Sequence, residues 1–299
     1  MSASGAGGGH RAAFDGRLGE LRPKLHRYCA RMTGSVIDGE DVVQDALVKA
    51  IKAYSQAGPI ADLEGWLFRI AHNAALDFLR RRARYEAAHS HEETDMIAVS
   101  VNPVADRQAA AASLRTFMRL PVAQRSSVIL MDVLGFSLEE IGSVMVTSLP
   151  AVKAALHRGR RRLRELAKEP EDLPIPVLAE PERSLLAAYV DHFNARDFDA
   201  IRDMLADEVR LELVNKSRMK GRSAVGKYFH NYDRAEDWHF VPALVDHHPA
   251  LLVRDPSDPS GAPAYFVLLR WADNRLVNIR DFRYARYVTE GAEVVIPGL

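Results

Sequence analysis

Residues 136–163 read FSLEEIGSVMVTSLPAVKAALHRGRRRL, and they contain the strongest local pattern in the chain. Ser137 and Glu140 have the spacing of a capping box, which predicts the start of a short helix. The turn VTS follows, and its threonine or serine can cap a second helix that has Pro150 in its first turn. The stretch therefore predicts two helices joined by a three-residue turn, which is a helix-turn-helix.

The second of these helices is strongly basic. Four apolar positions at helical spacing predict its buried face: Leu149, Val152, Leu156 and Leu163. Its basic side chains then point mostly outward, where each phosphate that a cation neutralises releases counterions from DNA. A lone basic helix can also be a solvated face, but the capped helix and the turn before it favour DNA binding.

The charge balance divides the chain into two parts. All 299 residues together carry 40 Lys+Arg and 40 Asp+Glu, for a formal charge of +0. Residues 1–168 hold 24 Lys+Arg and 18 Asp+Glu, a net charge of +6, and residues 169–299 therefore have a net charge of −6. This asymmetry indicates a basic front part that meets a polyanion and an acidic back part that does not.

Composition also bears on location. The start, MSASGAGGGH, lacks the apolar run of a signal peptide, and no later segment reaches the roughly 20 apolar residues that span a membrane. We therefore expect a cytoplasmic protein with no membrane partner. The single cysteine, Cys29, can form no intrachain disulfide, which fits a reducing compartment.

Two stretches have the composition of linkers. Residues 85–108 are acid-rich and lack a sustained period, and residues 169–181 contain four prolines, which forbid a regular helix. These linkers predict three domains: 13–84 and 109–168, both helical, and 182–289, an α+β domain. The Gly-rich residues 1–12 are expected to be disordered, and residues 290–299 to form a tail.

Helical periodicity dominates the first domain. In EDVVQDALVKAIKAY, Val43, Leu47, Ala50 and Tyr54 recur at spacings of three and four. In GWLFRIAHNAALDFLRRRAR, an apolar stripe leaves a second face that is polar and mostly basic: Arg69, Asn73, Asp77, Arg80 and Arg84.

Three collinear segments resemble the extracytoplasmic-function sigma factors of bacterial RNA polymerase. They are DGEDVVQDALVKAIKAY, GWLFRIAHNAALDFLRRRAR and LPVAQRSSVILMDVLGFSLEEIGSVMVTSLPAVKAALHRGRRRL, and they cover about the first 168 residues. The resemblance implies two all-α domains, a sigma region 2 helical bundle and a sigma region 4 helix-turn-helix. It also implies promoter-specific transcription initiation, with RNA polymerase core enzyme and promoter DNA as partners and with no cofactor, metal or reaction of its own.

The resemblance also assigns roles to residues. It implies that the polymerase-binding helix uses Asp41, Gln44 and Asp45. It places the minus-ten element against Arg69, Asn73, Asp77, Arg80 and Arg84. It places the minus-thirty-five element against Lys153, His157 and Arg158, with Arg160, Arg161 and Arg162 nearest the phosphates.

Two features leave this reading open in part. Ala154 and Ala155 stand where longer polar residues often occur, so the preferred DNA sequence is not predicted. The acidic residues of the first linker, Glu86, Glu92, Glu93 and Asp95, could occupy a polymerase channel built for nucleic acid, or the linker could be a solvated tether.

The last domain resembles the SnoaL-like branch of the NTF2-like superfamily through ARDFDAI, LADEV and GRSAVGKYF, followed by strand-like runs. The resemblance implies an α+β cone, which we expect to regulate the sigma domains by contact in cis. The alternative is a DNA-binding module fused to a small-molecule-binding or isomerase/cyclase-type domain. Five side chains could line its cavity, although no pair visibly converges, so surface or structural roles are favoured: His192, Asp207, His239, Arg270 and Asp281.

Overall fold

The computed structural model describes residues 6–57, 60–89, 113–169, 178–229, 232, 239–255, 257–258 and 262–296. The side chains of residues 6–10, 57 and 89 are outside this description, as are Glu92, Glu93 and Asp95 of the acidic linker. The chain forms two compact units, Met1–Glu171 and Asp172–Leu299. Within the described ranges, no helix combines the length and apolarity needed to cross a bilayer.

The first unit is helical throughout. Its helices are α1 (Ala6–Thr33), α2 (Val36–Ala57), α3 (Leu63–His89), α4 (Leu114–Met118), α5 (Val122–Val128), α6 (Leu138–Met145) and α7 (Leu149–Leu166). A π-helical turn, Ile129–Val133, continues α5. This arrangement confirms the prediction of an all-α front part.

Two helix ends differ from the expected boundaries. Helix α1 begins at Ala6, so it includes most of the N-terminal stretch that we expected to be disordered. Helix α3 continues to His89, beyond the expected start of the linker. No proline or glycine interrupts its last turns, and an ion pair one helical turn apart, Arg82 Nε to Glu86 Oε1 at 2.8 Å, supports them.

The predicted apolar stripe of α2 is buried. Val43, Leu47 and Ala50 lie in the core, and the half-buried Tyr54 stacks on Phe14 with ring centroids 3.7 Å apart. Burial of this stripe packs α2 against α1 and α3, and this packing stabilises the helix more than the intrinsic helix propensity of its residues does.

The two predicted helical domains share one hydrophobic core. Phe68 of α3 meets Phe136, which precedes α6, in an edge-to-face contact with centroids 4.8 Å apart. Gly34 permits a close approach on the other side, because its φ is +83° and a Cβ there would overlap the side chain of Met118. The helix-turn-helix therefore packs on α1 and α3 in a single compact unit.

A buried arginine joins the same two parts. Arg125 is 4% exposed. Its Nη1 donates to the carbonyl of Met32 at 2.6 Å, and its Nη2 donates to the carbonyls of Met118 and Leu120, both at 3.0 Å. Burial lowers the pKa of Arg125 to about 10, so the guanidinium remains charged at neutral pH.

The second unit is an α+β fold. Its helices are α8 (Glu182–Asn194), α9 (Phe198–Met204) and α10 (Arg222–Tyr228). Its strands are β1 (Leu205–Leu213), β2 (Ser217–Lys220), β3 (His239–Val245), β4 (His248–Arg254), β5 (Pro263–Ala272), β6 (Arg275–Asp281) and β7 (Val294–Val295).

These strands form one sheet in the order β2-β1-β6-β5-β4-β3-β7. Strands β1 and β6 are parallel, and the other neighbours are antiparallel. The apolar face of α8 is buried in the same cluster as the sheet residues, through Leu186, Tyr189, Val190 and Phe193. This confirms the α+β class predicted for the back part.

Some strand predictions need correction. Residues 275–288, one of the strand-like runs of the last domain, do not form a single strand, because β6 ends at Asp281 and a 3₁₀ helix occupies Arg286–Thr289. The expected tail contains β7, whose Val295 pairs with Leu244 of β3. Two β-branched residues, Val294 and Val295, therefore extend the edge of the sheet. Their pairing depends on β3, which lies far earlier in the chain, so the sequence of the last ten residues alone does not indicate it.

We expect Arg125→Met to lower the free energy of unfolding by about 2–5 kcal/mol, because three carbonyls lose a buried, charged donor. Urea denaturation of the full chain followed by far-UV circular dichroism measures the change. Arg17→Met is the matched control, because Arg17 forms only an exposed pair with Glu20 on α1. Its effect should lie within about 0.5 kcal/mol. Equal losses in both variants would contradict the structural role of Arg125.

Candidate nucleic-acid interface

The capping box predicted at α6 is present. Ser137 Oγ accepts from the N–H of Glu140 at 3.3 Å, and the Glu140 carboxylate accepts from the N–H of Ser137 at 2.7 Å. The second bond lowers the pKa of Glu140. Ser148 occupies the cap position of α7, but its side chain makes no capping hydrogen bond, and Pro150 lies in the first turn.

The turn between α6 and α7 contains a strained residue. Val146 ends α6 in the left-handed region, with φ 51° and ψ 55°, and its N–H donates to the carbonyl of Gly142. A β-branched side chain is unfavourable there, at a cost of about 1–3 kcal/mol. Val146 is 75% exposed, so burial of its isopropyl group does not offset this strain.

The buried face of α7 is largely as predicted. Val152, Leu156 and Leu163 are buried, and Gly159 allows close packing on α5 because a Cβ there would lie 2.7 Å from Val128 Cγ2. The prediction for Leu149 is wrong, because this side chain is 38% exposed. Residues 146–151 are all exposed, so the first turn of α7 extends past the helices that cover its later turns.

The basic residues of α7 divide into two sets. Lys153, His157 and Arg158 are exposed. Arg160 donates from Nε to Asp132 Oδ2 at 2.9 Å, and its Nη2 contacts Oδ1 of the same carboxylate. The Asp132 side chain is buried in the π-helical turn, so this bidentate pair fixes Arg160 to the core.

Two more arginines of the run lie against a neighbour on the same helix. Arg161 and Arg162 are half-buried, and their nearest carboxylate is Glu165, at 4.0 Å and 3.4 Å. In each pair the two residues are about one helical turn apart, and part of each arginine side chain remains exposed to solvent. The structure thus gives Arg160 a packing role that the sequence did not reveal, because Asp132 lies 28 residues earlier.

Helix α3 presents the predicted polar face to solvent. All five residues assigned to the minus-ten element are exposed: Arg69, Asn73, Asp77, Arg80 and Arg84. Asp77 lies 3.7 Å from Lys49 and 3.2 Å from Arg80, so its charge is locally balanced and the face remains cationic. Trp66, at the start of α3, packs against the core.

Helix α2 carries the residues assigned to polymerase binding. Asp41 and Asp45 are exposed, and Gln44 is half-buried. Asp45 lies 3.7 Å from Arg81 of α3, and both side chains are more than half exposed. An exposed pair of this kind contributes at most about 1 kcal/mol, so the carboxylate can exchange its partner at small cost.

The second unit contains a buried cluster around Asp281. Asp281 has no exposed surface, accepts from the hydroxyls of Tyr228 and Tyr232, and accepts from the N–H of Arg283 at 2.7 Å. Burial raises the pKa of this carboxyl, although the two tyrosines act in the opposite direction. The sequence pattern indicated Asp281 but neither of its phenol partners, Tyr228 and Tyr232.

The other cavity candidates do not join this cluster. His192 lies 3.4 Å from Asp197 on the surface, and Asp207, His239 and Arg270 are exposed. In the part of the chain that the structure describes, no group of three His, Cys, Asp or Glu side chains has an arrangement that could hold a metal ion.

Comparison with known proteins identifies the helical unit. Residues 18–85 match the model for Sigma-70 region 2, and residues 114–163 match the model for Sigma-70, region 4. The chain is 34% identical over 167 residues to the ECF RNA polymerase sigma factor SigE of Mycolicibacterium smegmatis, covering 52% of this chain and 62% of SigE. It thus spans less than two thirds of that relative.

Another relative is covered more completely. The chain is 34% identical over 162 residues to the ECF RNA polymerase sigma factor SigM of Mycobacterium tuberculosis, covering 53% of this chain and 79% of SigM. Among solved structures, the sigma factor SigJ of the same species aligns with 88% of this chain and 93% of its own, at 20% identity and a TM-score of 0.35. On the strength of the SigM match, the chain belongs to the family of ECF RNA polymerase sigma factors.

Proposed function

We propose that this protein directs promoter-specific transcription initiation by bacterial core RNA polymerase, in the cytoplasm, where that enzyme works. The observation that carries the proposal is that one compact unit presents three exposed faces of suitable charge. These are the acidic face of α2, the mostly basic face of α3 and the cations of α7. The protein itself catalyses no reaction, because its contribution is binding free energy for polymerase and promoter.

The upstream promoter element is assigned to α7. Lys153 and Arg158 are exposed on one helix whose opposite face is buried, as a helix lying in the major groove requires. Arginine and lysine donate to the acceptors of guanine, which gives sequence preference, whereas Arg161 and Arg162 are better placed for phosphates.

We expect Lys153→Ala and Arg158→Ala each to weaken binding to a preferred promoter by about 1–3 kcal/mol and to reduce discrimination between promoters. Arg161→Ala should weaken binding about equally on all sequences. Fluorescence anisotropy of the full chain with core polymerase and labelled promoters provides the measurement.

Arg160→Ala is the internal comparison for these variants. It leaves the buried Asp132 without its guanidinium, so it should lower the unfolding midpoint more than Arg161→Ala does. Unchanged promoter discrimination in the Lys153→Ala/Arg158→Ala double variant would remove both residues from base readout.

The polymerase face is assigned to Asp41, Gln44 and Asp45 of α2. Exposed carboxylates and an amide can pair with an arginine-rich surface of the polymerase. The contact of Asp45 with Arg81 is exposed on both sides, so polymerase can replace it without opening the core.

Charge reversal on α2 tests this face. We expect Asp41→Lys/Asp45→Lys to weaken association with core polymerase by at least about tenfold, because charge complementarity is lost. The control is Asp15→Lys/Glu20→Lys, which makes the same charge change on exposed positions of α1. Surface plasmon resonance with immobilised core enzyme compares the two. Equal affinities of the two double variants for core polymerase would contradict the assignment of the polymerase face to α2.

Simultaneous contact with both promoter elements requires the first unit to open. Elements centred about 25 base pairs apart are separated by about 85 Å of duplex, whereas a packed unit of this size is about 40 Å across. Helices α3 and α4 are separated by 24 residues, from His89 to Leu114. A chain of that length can extend to about 80 Å, so it permits separation of α1–α3 from α4–α7 on the promoter.

The acidic second unit is proposed to regulate the first in cis. Two properties of the chain support this: the opposite net charges of +6 and −6, and a proline-containing connector that keeps the effective concentration of the second unit high, on the order of millimolar. An acidic unit tethered in this way can cover the basic face of α7 and thereby reduce promoter binding.

Covering of α7 can be measured without DNA. At 0.1 M salt, we expect an amine-reactive reagent to modify Lys153 more slowly in the full chain than in a chain ending at Lys168. The two rates should converge near 1 M salt, where screening shortens the range of charge interactions to about 3 Å. Mass spectrometry of the peptide containing Lys153 gives both rates, and Lys52 of α2 provides an internal reference.

A fused ligand-binding or isomerase/cyclase-type domain is the second candidate for the back part. The buried Asp281, with its raised pKa and two phenol donors, favours this candidate, since buried acids of this kind also occur in active sites. Equal Lys153 rates at every salt concentration, together with turnover of a small molecule that Asp281→Asn abolishes, would establish this candidate over cis regulation.

A further inference from the structure

An exposed apolar pair marks the start of the proposed recognition helix. Val146 is 75% exposed and Leu149 is 38% exposed, within the exposed run 146–151. Single exposed apolar residues are common on protein surfaces. This pair is different because one member occupies a strained backbone position and the other lies in line with the cations of α7.

The side chain of Val146 is not required by the fold. The backbone bonds that close the turn come from the N–H groups of Val146 and Thr147, both donating to the carbonyl of Gly142. Glycine would make the same bonds without strain. The other described non-glycine residues with positive φ are arginine, asparagine, aspartate or histidine, so Val146 is the β-branched residue among them.

Leu149 continues the row of exposed cations toward the helix start. Lys153 and His157 follow it at intervals of four residues, so the three side chains lie along one side of α7. The N-terminal residues of a recognition helix are the ones that reach base edges in the major groove. The proposed DNA-binding face of α7 is therefore apolar at the N-terminal end of the helix and cationic in the turns that follow.

Thymine is the base that matches this apolar beginning. On the major-groove edges of the four bases, the C5-methyl group of thymine is the apolar feature, and the other features are hydrogen-bond donors and acceptors. Valine and leucine can bury such a methyl group but can satisfy no donor or acceptor. Backbone strain is retained at functional positions, where the strained residue contributes to binding or mechanism.

We propose that Val146 and Leu149 form an apolar reading surface that selects thymine in the upstream promoter element by contact with its C5-methyl group. This inference rests on the proposed function of α7 as the helix that binds this element. It adds a sequence preference that the cations of α7 do not supply.

The test uses the full chain with core polymerase. Promoters with a randomised upstream element are first selected for binding, and each thymine in the best sequence is then replaced singly by deoxyuridine, which lacks only the methyl group. We expect at least one replacement to weaken binding by the wild-type chain about fourfold, the effect of exposing one buried methyl group. Val146→Gly, Val146→Asn and Leu149→Ala should bind weakly and lose this sensitivity.

Stability measurements separate contact from folding. Because glycine relieves the backbone strain, Val146→Gly should keep the unfolding midpoint or raise it by about 2–4 °C. Val294→Ala, at an exposed valine of β7, is the control and should retain full sensitivity to deoxyuridine. A large fall in the midpoint of Val146→Gly would show that Val146 serves the fold and would overturn the proposal.

The remaining outcomes are equally decisive. The reading surface would be overturned if the selected promoters contained no thymine in the upstream element. It would also be overturned if deoxyuridine replacements affected binding by the variants and by the wild type equally. Either result would leave α7 as the DNA-binding helix. Weakened binding to core polymerase alone in Val146→Gly would assign the pair to a polymerase contact. If no upstream sequence is enriched, the proposed function of α7 fails, and this inference fails with it.

Discussion

The packing of the first unit depends on one buried guanidinium. Arg125 places its charge in the core and gives hydrogen bonds to three carbonyl groups, those of Met32 at the end of α1 and of Met118 and Leu120 around the end of α4. Helix ends leave carbonyls without intrahelical partners, and burial makes such groups costly. One planar side chain with several donors satisfies all three, and lysine could not match this geometry.

The faces proposed to bind polymerase and DNA follow from this packing. Because the core is shared, α7 buries its apolar side against α5, and its remaining surface must face outward. The Asp132–Arg160 pair fixes the middle of α7 from the same side, and Gly159 allows the close approach. The outward face is therefore determined by the core, and the exposed side chains on it are free to serve binding.

Local patterns predicted most of the helical unit, including the capping box at Ser137 and the apolar stripe of α2. They failed where the outcome depends on distant partners. Leu149 has the spacing of a buried residue, but among the described residues of the first unit none covers its side chain enough to bury it. Arg160 belongs to a basic run, yet its partner Asp132 comes from a turn that the sequence does not mark as π-helical.

Under the proposed function, the shared core also sets a balance between packing and promoter binding. If both promoter elements are contacted at once, the bond of Arg125 to Met32 and the Phe68–Phe136 contact must break, and binding free energy must supply the cost. The apparent dissociation constant is then the intrinsic value divided by the open fraction, so each 1.4 kcal/mol of packing lowers affinity about tenfold. Under the proposed function, interactions between α1–α3 and α4–α7 in the free protein therefore weaken promoter binding, and marginal packing between these two parts serves that function better than tight packing.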